Sequence, residues 1–404
     1  MAILTEIQDP AVWQDFLAQK LAQANLTASE ASWLTDFVQH QEYLPVLAQI
    51  QANDYRLSIP EKRLLNRLGK AKKRVVYTFS PPENAILKLI SFLLYRYDNL
   101  LPANCYAFRR EVGAKQAIAR LTSFVGIDAL YSCKIDIQDY FNSIDVPRLL
   151  PLLRRVLADD PPLYEFFQQL LQTDQAWFQG ELVTEKRGAM AGVPVSQFFA
   201  NLYLLDLDRQ FEESGQLYAR YSDDIICFAA DETAIHAAYQ LIVEKLAESQ
   251  LVVNPEKTRF SQPGQSWEYL GIRYEQGRVR LAAATLQKAK GKIRRKARSI
   301  RRWQQRKGAP MEKAISVFCR SLNRKFYGRA GEDGFCWTRW FFPLLSDGDD
   351  LQTLDHYIQD YLRYLACGHF RKSNYRWRYA QLKTGGYQNL VHAYYQYRDL
   401  RRTK

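Results

Sequence analysis

Apolar residues recur at steps of three and four along the first fifty residues, a spacing that predicts amphipathic helices. The residues that follow this spacing are Trp13, Phe16, Leu17, Leu21, Leu34, Phe37 and Val38. Thr27 and Ser29 stand just before the second group, and either has the side chain of a helix N-cap. We therefore expect residues 1–50 to form a helical extension.

The pattern changes after residue 70, where a cluster of cations leads into a predicted strand. Val75 to Phe79 combines β-branched and aromatic residues, and Ser80-Pro81-Pro82 then ends the strand. The stretch 83–98 has the composition of a buried helix. From 131 to 271 the predicted strands and helices alternate without the regular order of βαβ units, which favours an α+β fold.

One apolar stretch carries two adjacent acids. Residues 217–221 lead into Ser222-Asp223-Asp224 and residues 225–228 lead out, which predicts a hairpin with carboxylates at its tip. Adjacent carboxylates repel each other, so a fold seldom places them together without a cation. A solvated Asp-Asp turn is the alternative interpretation.

Another acid, Asp136, ends the apolar stretch 129–135. If Asp136 lies beside the hairpin tip, three carboxylates can hold two Mg²⁺ ions. Such a pair of ions clamps the attacking and leaving oxygens of phosphoryl transfer.

The net charge of +13 belongs to the last third of the chain. Residues 281–404 contain 27 Lys and Arg against 9 Asp and Glu, whereas residues 1–280 contain 29 against 34. This asymmetry favours a polyanion bound by the C-terminal region. A solvated basic surface and a membrane-facing one are the alternatives.

Most of these charges fall on one predicted helix, residues 285–307. An apolar stripe of Ala289, Ile293, Ala297 and Ile300 runs along it, and eleven cations occupy the remainder. The cations are Lys288, Lys290, Lys292, Arg294, Arg295, Lys296, Arg298, Arg301, Arg302, Arg306 and Lys307. Further along, aromatic residues alternate with arginines, as in a surface that pairs phosphates and stacks bases, or in a helical core.

Composition argues against membrane-spanning, secreted and zinc-binding proteins. No apolar stretch is long enough for a membrane span, and the N-terminus lacks the features of a signal peptide. The six cysteines are scattered without a CxxC pair, which argues against a zinc site and for reduced thiols in the cytoplasm.

The motifs DIQDYFNSI (136–144), YSDD (221–224) and LVVNPEKT (251–258) follow one another in this order. Together they resemble a bacterial reverse transcriptase of the group II intron-like lineage, over about residues 55–275. The resemblance implies that Asp136, Asp223 and Asp224 are catalytic ligands of two Mg²⁺ ions. It also implies that the Phe141 ring lies beneath the sugar of the incoming nucleotide and excludes a 2′-hydroxyl.

Further site residues are implied by the same resemblance. Lys257 would lie near the leaving pyrophosphate, although a solvated surface lysine is an equal alternative. The nucleotide triphosphate would contact Lys72, Lys73 and Arg74. Leu270 and Gly271 would belong to the primer grip. The charge of helix 285–307, independently of the resemblance, predicts that Arg294, Arg295, Arg301 and Arg302 bind nucleic acid.

One loop departs from the family pattern. Much of the family has Gly-x-Pro-Gln-Gly followed by Ser-Pro, whereas residues 188–197 here read GAMAGVPVSQ. Ala191 replaces a glutamine that can hydrogen-bond the nucleotide sugar, and Gln197 replaces a proline. The Ser-Gln pair resembles diversity-generating retroelement enzymes, which copy adenine loosely. The departure leaves fidelity and template choice open, whereas we expect the polymerase chemistry to be retained.

The resemblance implies a right-hand polymerase followed by an α-helical thumb and C-terminal region. We expect fingers at 51–130, a palm with interleaved fingers helices at 131–280, and a basic thumb and C-terminal region at 281–404. The expected partners are deoxynucleoside triphosphates, an RNA template and a DNA product, with no membrane. The layout without RNase H, endonuclease or integrase segments resembles defence-associated reverse transcriptases, which work with a structured noncoding RNA.

Three functions remain open from the sequence. The favoured one is an RNA-directed DNA polymerase that acts on its own noncoding RNA in antiviral defence. The second is a mutagenic retroelement polymerase that needs an accessory protein. The third is an inactive polymerase fold that serves as an RNA-binding scaffold, against which the three intact aspartates speak.

Overall fold

The computed structural model describes residues 2–22, 26–52, 55–66, 73–328, 335–378, 381–382 and 385–402. The chain divides into two compact units. The first unit comprises residues 1–117 and 129–263, and the second comprises residues 118–128 and 264–404. Lys72 lies outside the described residues, so its predicted role stays a prediction.

The first unit mixes helices and strands. Its helices are α1 (Ile3–Glu6), α2 (Pro10–Ala22), α3 (Ala28–Gln39), α4 (Tyr43–Ala52), α5 (Pro81–Leu93), α6 (Ala114–Thr122, which runs into the second unit), α7 (Tyr140–Ser143), α8 (Val146–Val156), α9 (Pro161–Gln172), α10 (Ser196–Tyr203), α11 (Leu205–Glu213) and α12 (Glu232–Glu248). Its strands are β1 (Glu61–Leu65), β2 (Arg74–Thr78), β3 (Tyr131–Asp136), β4 (Gln175–Phe178), β5 (Glu181–Thr184), β6 (Tyr218–Tyr221), β7 (Asp224–Ala229) and β8 (Arg259–Ser261).

The predicted N-terminal helices are present. Thr27 caps α3 through a capping box, because its hydroxyl accepts from the Glu30 backbone N–H while the Glu30 carboxylate accepts from the Thr27 N–H. Trp13 stacks on Tyr43 with ring centroids 4.3 Å apart, which joins α2 to α4. The apolar spacing of the first fifty residues therefore marks the buried faces of these helices, except at Leu21, which is exposed at the end of α2.

Two four-stranded sheets organise the rest of the first unit. One has the order β2-β1-β4-β5, and its strand β2 contains most of the segment 75–79 predicted from the sequence. The other has the order β6-β7-β3-β8, with every neighbouring pair antiparallel. Helix α12 packs against β3 and β7, which buries Ile135 and Ile225 completely. This sheet is the rigid support of the candidate site.

The second unit begins with a small sheet and continues as helices. Its strands are β9 (Trp267–Tyr269), β10 (Ile272–Glu275) and β11 (Arg278–Leu281), in the order β11-β10-β9. Its helices are α13 (Ala283–Lys307), α14 (Met311–Tyr327), α15 (Trp337–Trp340), α16 (Asp349–Cys367) and α17 (Leu390–Arg402). Helix α13 packs against α14 and α16, and the predicted stripe is buried, with Ile293 and Ile300 at 2% and 5% exposure.

The α+β fold class of the right-hand polymerases, followed by a mostly helical region, is confirmed. The six cysteines form no disulfide, and five of them are buried. Across the described ranges, every helix is too short or too polar to span a bilayer.

Candidate active site

The two adjacent acids occupy the tip of a tight hairpin, as the sequence predicts. Strand β6 ends at Tyr221, Ser222 and Asp223 form the turn, and β7 begins at Asp224. Tyr221 pairs with Asp224 across the turn. Ser222 has a φ of 61°, a left-handed conformation in which its short side chain is buried. The turn therefore presents Asp223 and Asp224 from a fixed backbone.

Sheet register brings the third acid to the same place. Asp136 is the last residue of β3 and lies directly opposite Asp224 of β7. The backbone N–H of Ile137 donates to the Asp223 carbonyl at 3.2 Å, which ties the end of β3 to the hairpin turn. The structure thus brings Asp136 together with Asp223 and Asp224, which follow it by 87 and 88 residues in the sequence.

Two lysines face these carboxylates. The Lys257 Nζ forms an ion pair with Asp136 Oδ1, and Lys134 Nζ lies 3.5 Å from Asp224 Oδ1. Asn254 also contacts Asp136, since its backbone N–H donates to the Asp136 carbonyl at 2.7 Å. Lys257 is the pyrophosphate-side lysine of the sequence analysis, whereas Lys134 and Asn254 were not singled out there.

Burial and mutual repulsion raise the pKa values of the two aspartates at the hairpin tip. Burial raises the pKa of Asp223, and the neighbouring charges of Asp224 and Asp136 raise it further. Burial likewise raises the pKa of Asp224, while Lys134 acts in the opposite direction. A divalent cation would relieve the repulsion that remains despite Lys257 and Lys134, because it adds positive charge between the carboxylates.

Aromatic rings lie next to the carboxylates. Phe141 sits on the short helix α7, five residues after Asp136, and its ring packs edge-on against Phe108 with centroids 6.1 Å apart. Phe108 in turn contacts the ring of Tyr221 at 6.2 Å. The half-buried Phe141 is therefore held by a neighbour, Phe108, that sequence reasoning did not select.

The loop 188–192 is fixed between β2 and α7. The Ala191 N–H donates to Asn142 Oδ1 at 3.0 Å, and the Ala191 carbonyl accepts from the Tyr77 N–H at 2.8 Å. A Cβ on Gly188 would lie 2.6 Å from the Phe141 carbonyl, so only glycine fits there. This loop connects the predicted sugar-side residue Phe141 to the strand that follows the basic cluster.

The other predicted residues of the first unit differ in their exposure. The Ala191 side chain is buried, at 3% exposure, whereas Gln197 is exposed on the first turn of α10. Lys73 and Arg74 are exposed at the start of β2. The exposed pair is accessible to a triphosphate, and the buried alanine contributes to the loop chiefly through its backbone.

The primer-grip candidates belong to the second unit. Leu270 and Gly271 form the turn between β9 and β10, with φ values of 49° and 83° that are typical of a two-residue hairpin. The Gly271 carbonyl accepts from Thr285 Oγ1 at 2.9 Å and from the Ala282 N–H at 3.0 Å. These bonds join the hairpin to the first turn of α13.

The cations of α13 are displayed outward. Arg294, Arg295 and Arg302 are exposed, and Arg301 is half-buried with its Nη1 donating to Gln304 Oε1 at 2.7 Å. This arrangement agrees with an apolar stripe that faces α14 and α16 and leaves a cationic outer face. Such a face can contact phosphates without rearrangement of the helix.

A buried ion pair beneath the hairpin escaped the sequence analysis. Arg220, on β6, and Asp208, on α11, are both fully buried, and Arg220 Nε donates to both carboxylate oxygens at 2.8 and 3.0 Å. Arg220 Nη1 also reaches the Ser222 carbonyl at 3.4 Å. The available signal was a single charged residue in the otherwise apolar stretch 217–221, since a charge inside a strand needs a partner.

Comparison with known proteins agrees with this geometry. Residues 59–274, just over half of the chain, match the family "Reverse transcriptase (RNA-dependent DNA polymerase)". A retron Mx65 reverse transcriptase of Myxococcus xanthus is 26% identical over 148 residues, which are 34% of this chain and 35% of that protein. The chain thus matches about a third of the length of this relative.

Two solved structures show a distant similarity. Apo telomerase of Candida tropicalis aligns with 76% of this chain and 57% of its own at 11% identity, with a TM-score of 0.47. A form of the same telomerase truncated from the C-terminal domain aligns with 59% and 60% at 12% identity, with a TM-score of 0.42. By the match over residues 59–274, the chain belongs to the reverse transcriptase family of RNA-dependent DNA polymerases.

Proposed function

We propose that the protein extends a primer by copying an RNA template into DNA. The observation that carries this proposal is the convergence of Asp136, Asp223 and Asp224 at adjacent strand ends in a chain of the reverse transcriptase family. Phosphoryl transfer needs carboxylates at fixed positions around its metal ions, and this sheet supplies them. We assign the fingers to 51–130, the palm to 131–280 and the thumb to the helical region that follows.

The donor set fits divalent cations, which reverse transcriptase domains generally use, and we propose two Mg²⁺ ions. Asp136, Asp223 and Asp224 would hold them, since Mg²⁺ prefers carboxylate oxygens. Among the residues that the structure describes, no group of three His, Cys, Asp or Glu side chains is arranged to hold an ion. Lys257 and Lys134 instead face the Asp136 and Asp224 oxygens, so metal binding requires these lysines to move aside.

When bound, the ions would activate the primer 3′-hydroxyl and neutralise the triphosphate. The side chains around the tip have complementary tasks. Lys257, released from Asp136, can donate a proton to the departing pyrophosphate. Phe141 restricts the space beneath the sugar, and Lys73 and Arg74 neutralise phosphates at the edge of β2.

Primer extension on an RNA template tests this assignment. Asp223→Asn combined with Asp224→Asn should lower nucleotide incorporation on the order of a thousandfold or more, because the metal ligands are lost. The matched control is Asp206→Asn, whose carboxylate is 69% exposed on α11 and faces Arg155 and Arg209. The RNA affinity and the unfolding temperature of the double variant should stay near those of the wild type. Undiminished incorporation by the double variant would refute the proposal.

The inactive-scaffold alternative gives a different result in the same assay. A scaffold would show no metal-dependent incorporation in the wild type while it binds RNA as tightly as the double variant does. The three buried or half-buried acids disfavour a scaffold, because they cost stability without serving RNA binding.

A more specific proposal concerns the lineage of the protein, its RNA template and its biological role. We propose a member of the group II intron-like lineage that copies a structured noncoding RNA and acts in antiviral defence. Similarity to a retron reverse transcriptase and the cationic outer face of α13 support an RNA that the protein itself selects. Sequencing the RNA that co-purifies from the native host tests this. One dominant structured RNA is expected, and a broad sample of cellular RNA would contradict the proposal.

A second candidate function is a mutagenic retroelement polymerase that works with an accessory protein. Ala191 favours it, because an alanine at this loop position cannot hydrogen-bond a nucleotide sugar. Sequencing of the cDNA separates the two candidates. Errors concentrated opposite template adenines support the retroelement enzyme, whereas evenly distributed errors support the defence enzyme.

A further inference from the structure

A cavity of about 630 Å³ lies in the second unit, between helix α13 and the C-terminal end of α16. Tyr364, near the end of α16, and Gly368, just after it, form part of its lining. The volume falls within the range of small-ligand sites, about 300–1,000 Å³. Within the described part of the chain, no acidic residue lines the cavity. Four arginines of α13 line it, namely Arg295, Arg298, Arg301 and Arg302.

These arginines lie close together without a compensating acid. Arg298 and Arg302 are one helical turn apart, and Arg295 and Arg301 are each three residues from Arg298. Side chains at these steps are neighbours on a helix, and like charges there destabilise it. Across the described ranges, none of the four forms an ion pair with a carboxylate. An anionic ligand would therefore relieve their repulsion without breaking an existing ion pair.

Arg301 is the half-buried member of the group. Its Nη1 donates to Gln304 Oε1 at 2.7 Å, and its Nη2 occupies space that a Cβ on Gly368 would block. Its Nε is buried and has no hydrogen-bond partner among the residues that the structure describes. A guanidinium that is held in place with an unmet donor favours a charged oxygen as its partner, because an unpaired buried donor costs stability.

The Tyr364 ring adds a flat apolar surface to this cationic lining. It stacks on Phe370, with ring centroids 4.8 Å apart and planes inclined by 10°, and Tyr361 packs edge-on against both rings. Phe370 is 54% exposed, so the stack reaches solvent. Aromatic rings beside arginines suit a nucleotide, whose base stacks while its phosphates are neutralised.

We propose that this cavity binds the 5′-triphosphate of a nucleotide, with the phosphates at the four arginines and the base at Tyr364. A triphosphate concentrates several negative charges in one compact group, whereas a nucleic-acid backbone spreads its charges along the strand. Four arginines around one cavity match the compact group. The lining belongs wholly to the second unit, whereas Lys73 and Arg74, the predicted contacts of the substrate triphosphate, belong to the first. The cavity is therefore a second triphosphate site, and its occupation does not depend on the proposed function.

Binding measured without metal, template or primer tests this inference. Isothermal titration with adenosine triphosphate is carried out in EDTA, because the acidic hairpin tip repels a triphosphate when no cation is bound. Arg298→Gln combined with Arg302→Gln should weaken binding on the order of tenfold or more, since charge-assisted contacts are lost. Without ligand, this variant should unfold at or above the wild-type temperature, because two repelling charges are removed. Undetectable binding by the wild type, or an unchanged affinity in the variant, would overturn the inference.

Two control variants locate the bound triphosphate. Lys288→Gln with Lys296→Gln removes the same charge from exposed positions of α13 that do not line the cavity, and it should keep the wild-type affinity. An equal loss in this control would mean diffuse attraction by the helix instead of a site. Lys73→Gln with Arg74→Gln should also keep the wild-type affinity. A loss confined to that variant would place the triphosphate at the predicted substrate contacts and contradict a second site.

The contribution of the base is tested separately. Tyr364→Leu should weaken the binding of adenosine triphosphate but not of inorganic triphosphate, because the ring contacts only the base. If Tyr364→Leu leaves both affinities unchanged, the base does not lie at Tyr364 and that part of the assignment is wrong.

A last comparison identifies the source of the triphosphate, since a free nucleotide and the first nucleotide of an unprocessed transcript carry the same group. If the source is an RNA end, a short RNA with a 5′-triphosphate should bind more tightly than the same RNA with a 5′-hydroxyl, and the difference should disappear in the Arg298 and Arg302 double variant. If the source is a free nucleotide, adenosine triphosphate binds while the two RNAs bind equally. Equal binding of the two RNAs without binding of adenosine triphosphate would refute both sources and the site itself.

Discussion

The two units of this chain use electric charge in opposite ways. In the first unit, Arg220 and Asp208 are fully buried and hold one another in a fixed geometry beneath the acidic hairpin. In the second, α13 displays its cations on an exposed face and buries only a narrow apolar stripe. A buried pair is costly to desolvate but fixes position, whereas exposed cations gain little individually and act by number.

The difference agrees with the tasks proposed for each unit. Phosphoryl transfer depends on where a few carboxylates lie, since small displacements of reacting groups are costly. Binding a polyanion depends on how many phosphates are neutralised, so single contacts are replaceable. A single substitution should therefore have a large effect on activity or stability in the first unit. In the second unit, the effect on RNA binding should grow with the number of cations replaced.

The largest effect is expected at Arg220. Arg220→Gln removes one partner of a buried pair and leaves Asp208 uncompensated, which should lower the free energy of unfolding by about 3–5 kcal/mol. Denaturant unfolding measures this change. A loss below about 1 kcal/mol would show that the pair is not the fixed support described above.

A paired substitution distinguishes support of the fold from support of the site. Arg220→Met with Asp208→Leu replaces both charges with apolar side chains, so most of the lost stability should return. The part that does not return is the cost of the buried Tyr218 hydroxyl, which donates to Asp208 Oδ1 at 3.0 Å and loses this acceptor. The contact from Arg220 to the Ser222 carbonyl stays lost. If this contact positions the hairpin turn, kcat for primer extension remains low in the stable double variant. Full recovery of kcat would limit Arg220 to a purely structural role.

Arg220 also shows where sequence analysis ends. The hairpin tip could be predicted because its signals are local, with apolar residues on both sides of Ser222-Asp223-Asp224. The Arg220–Asp208 pair could not, because its partners lie on different elements and nothing in the sequence links them. Register is a property of the whole sheet, so the pairing of Asp136 with Asp224 needed the family resemblance rather than the residues alone.

The second-largest effect is expected on α13. Replacing Arg294, Arg295, Arg301 and Arg302 with Gln should weaken RNA binding and reduce the slope of log affinity against log salt. Each lost phosphate contact should lower the slope by roughly 0.7–0.9, or by roughly three for four contacts. Titrations at three salt concentrations measure the slope, and metal dependence of incorporation should not change.

The control for this prediction removes the same charge elsewhere. Of the four first-unit residues chosen, Arg148 and Arg155 are exposed, Arg209 and Lys245 are half-buried, and each faces a carboxylate. Their replacement with Gln should leave the salt slope nearly unchanged. Similar slopes for both quadruple variants would mean that net charge, rather than the face of α13, determines binding.

The amphipathic pattern was informative on this helix, because a stripe is a local property. Helix 285–307 was predicted and α13 spans Ala283–Lys307, with Ala289, Ile293, Ala297 and Ile300 buried. The half-buried Arg301 was not predicted. Its guanidinium lies against Gly368, a contact that could not be predicted because that glycine is distant in the sequence.

A smaller effect on nucleotide selection is expected at Phe141, where we propose that the first unit restricts space instead of placing charge. Phe141→Ala should raise the use of ribonucleotides relative to deoxynucleotides roughly tenfold, because the ring no longer excludes the 2′-hydroxyl. Phe141→Tyr keeps the ring and its contact with Phe108, and should keep the wild-type ratio. Primer extension with competing nucleotides measures the ratio. An unchanged ratio in the alanine variant would exclude Phe141 as the gate.

The smallest effect concerns the stability of the acidic tip itself. The pKa of Asp223 is raised above its ordinary 3.8 in the folded protein, chiefly by burial and then by Asp224 and Asp136. The folded state therefore binds this proton more tightly than the unfolded state does. Stability consequently falls as pH rises from about 3.8 through the raised folded value, and the penalty stays constant above it.

Asp223→Asn removes this penalty. At pH 7 and without metal, the variant should unfold roughly 2 °C above the wild type, and the difference should vanish on acidification, when the wild-type carboxyl is protonated in both states. Added Mg²⁺ should raise the unfolding temperature of the wild type more than that of the variant, since a ligand that binds only the folded state stabilises it. The control Asp206→Asn changes a carboxylate that is 69% exposed and should show neither behaviour. If Asp223→Asn is instead less stable than the wild type at pH 7, attraction to groups such as Lys257 outweighs the burial and repulsion that raise the pKa of Asp223, and the penalty inferred for this carboxylate is wrong.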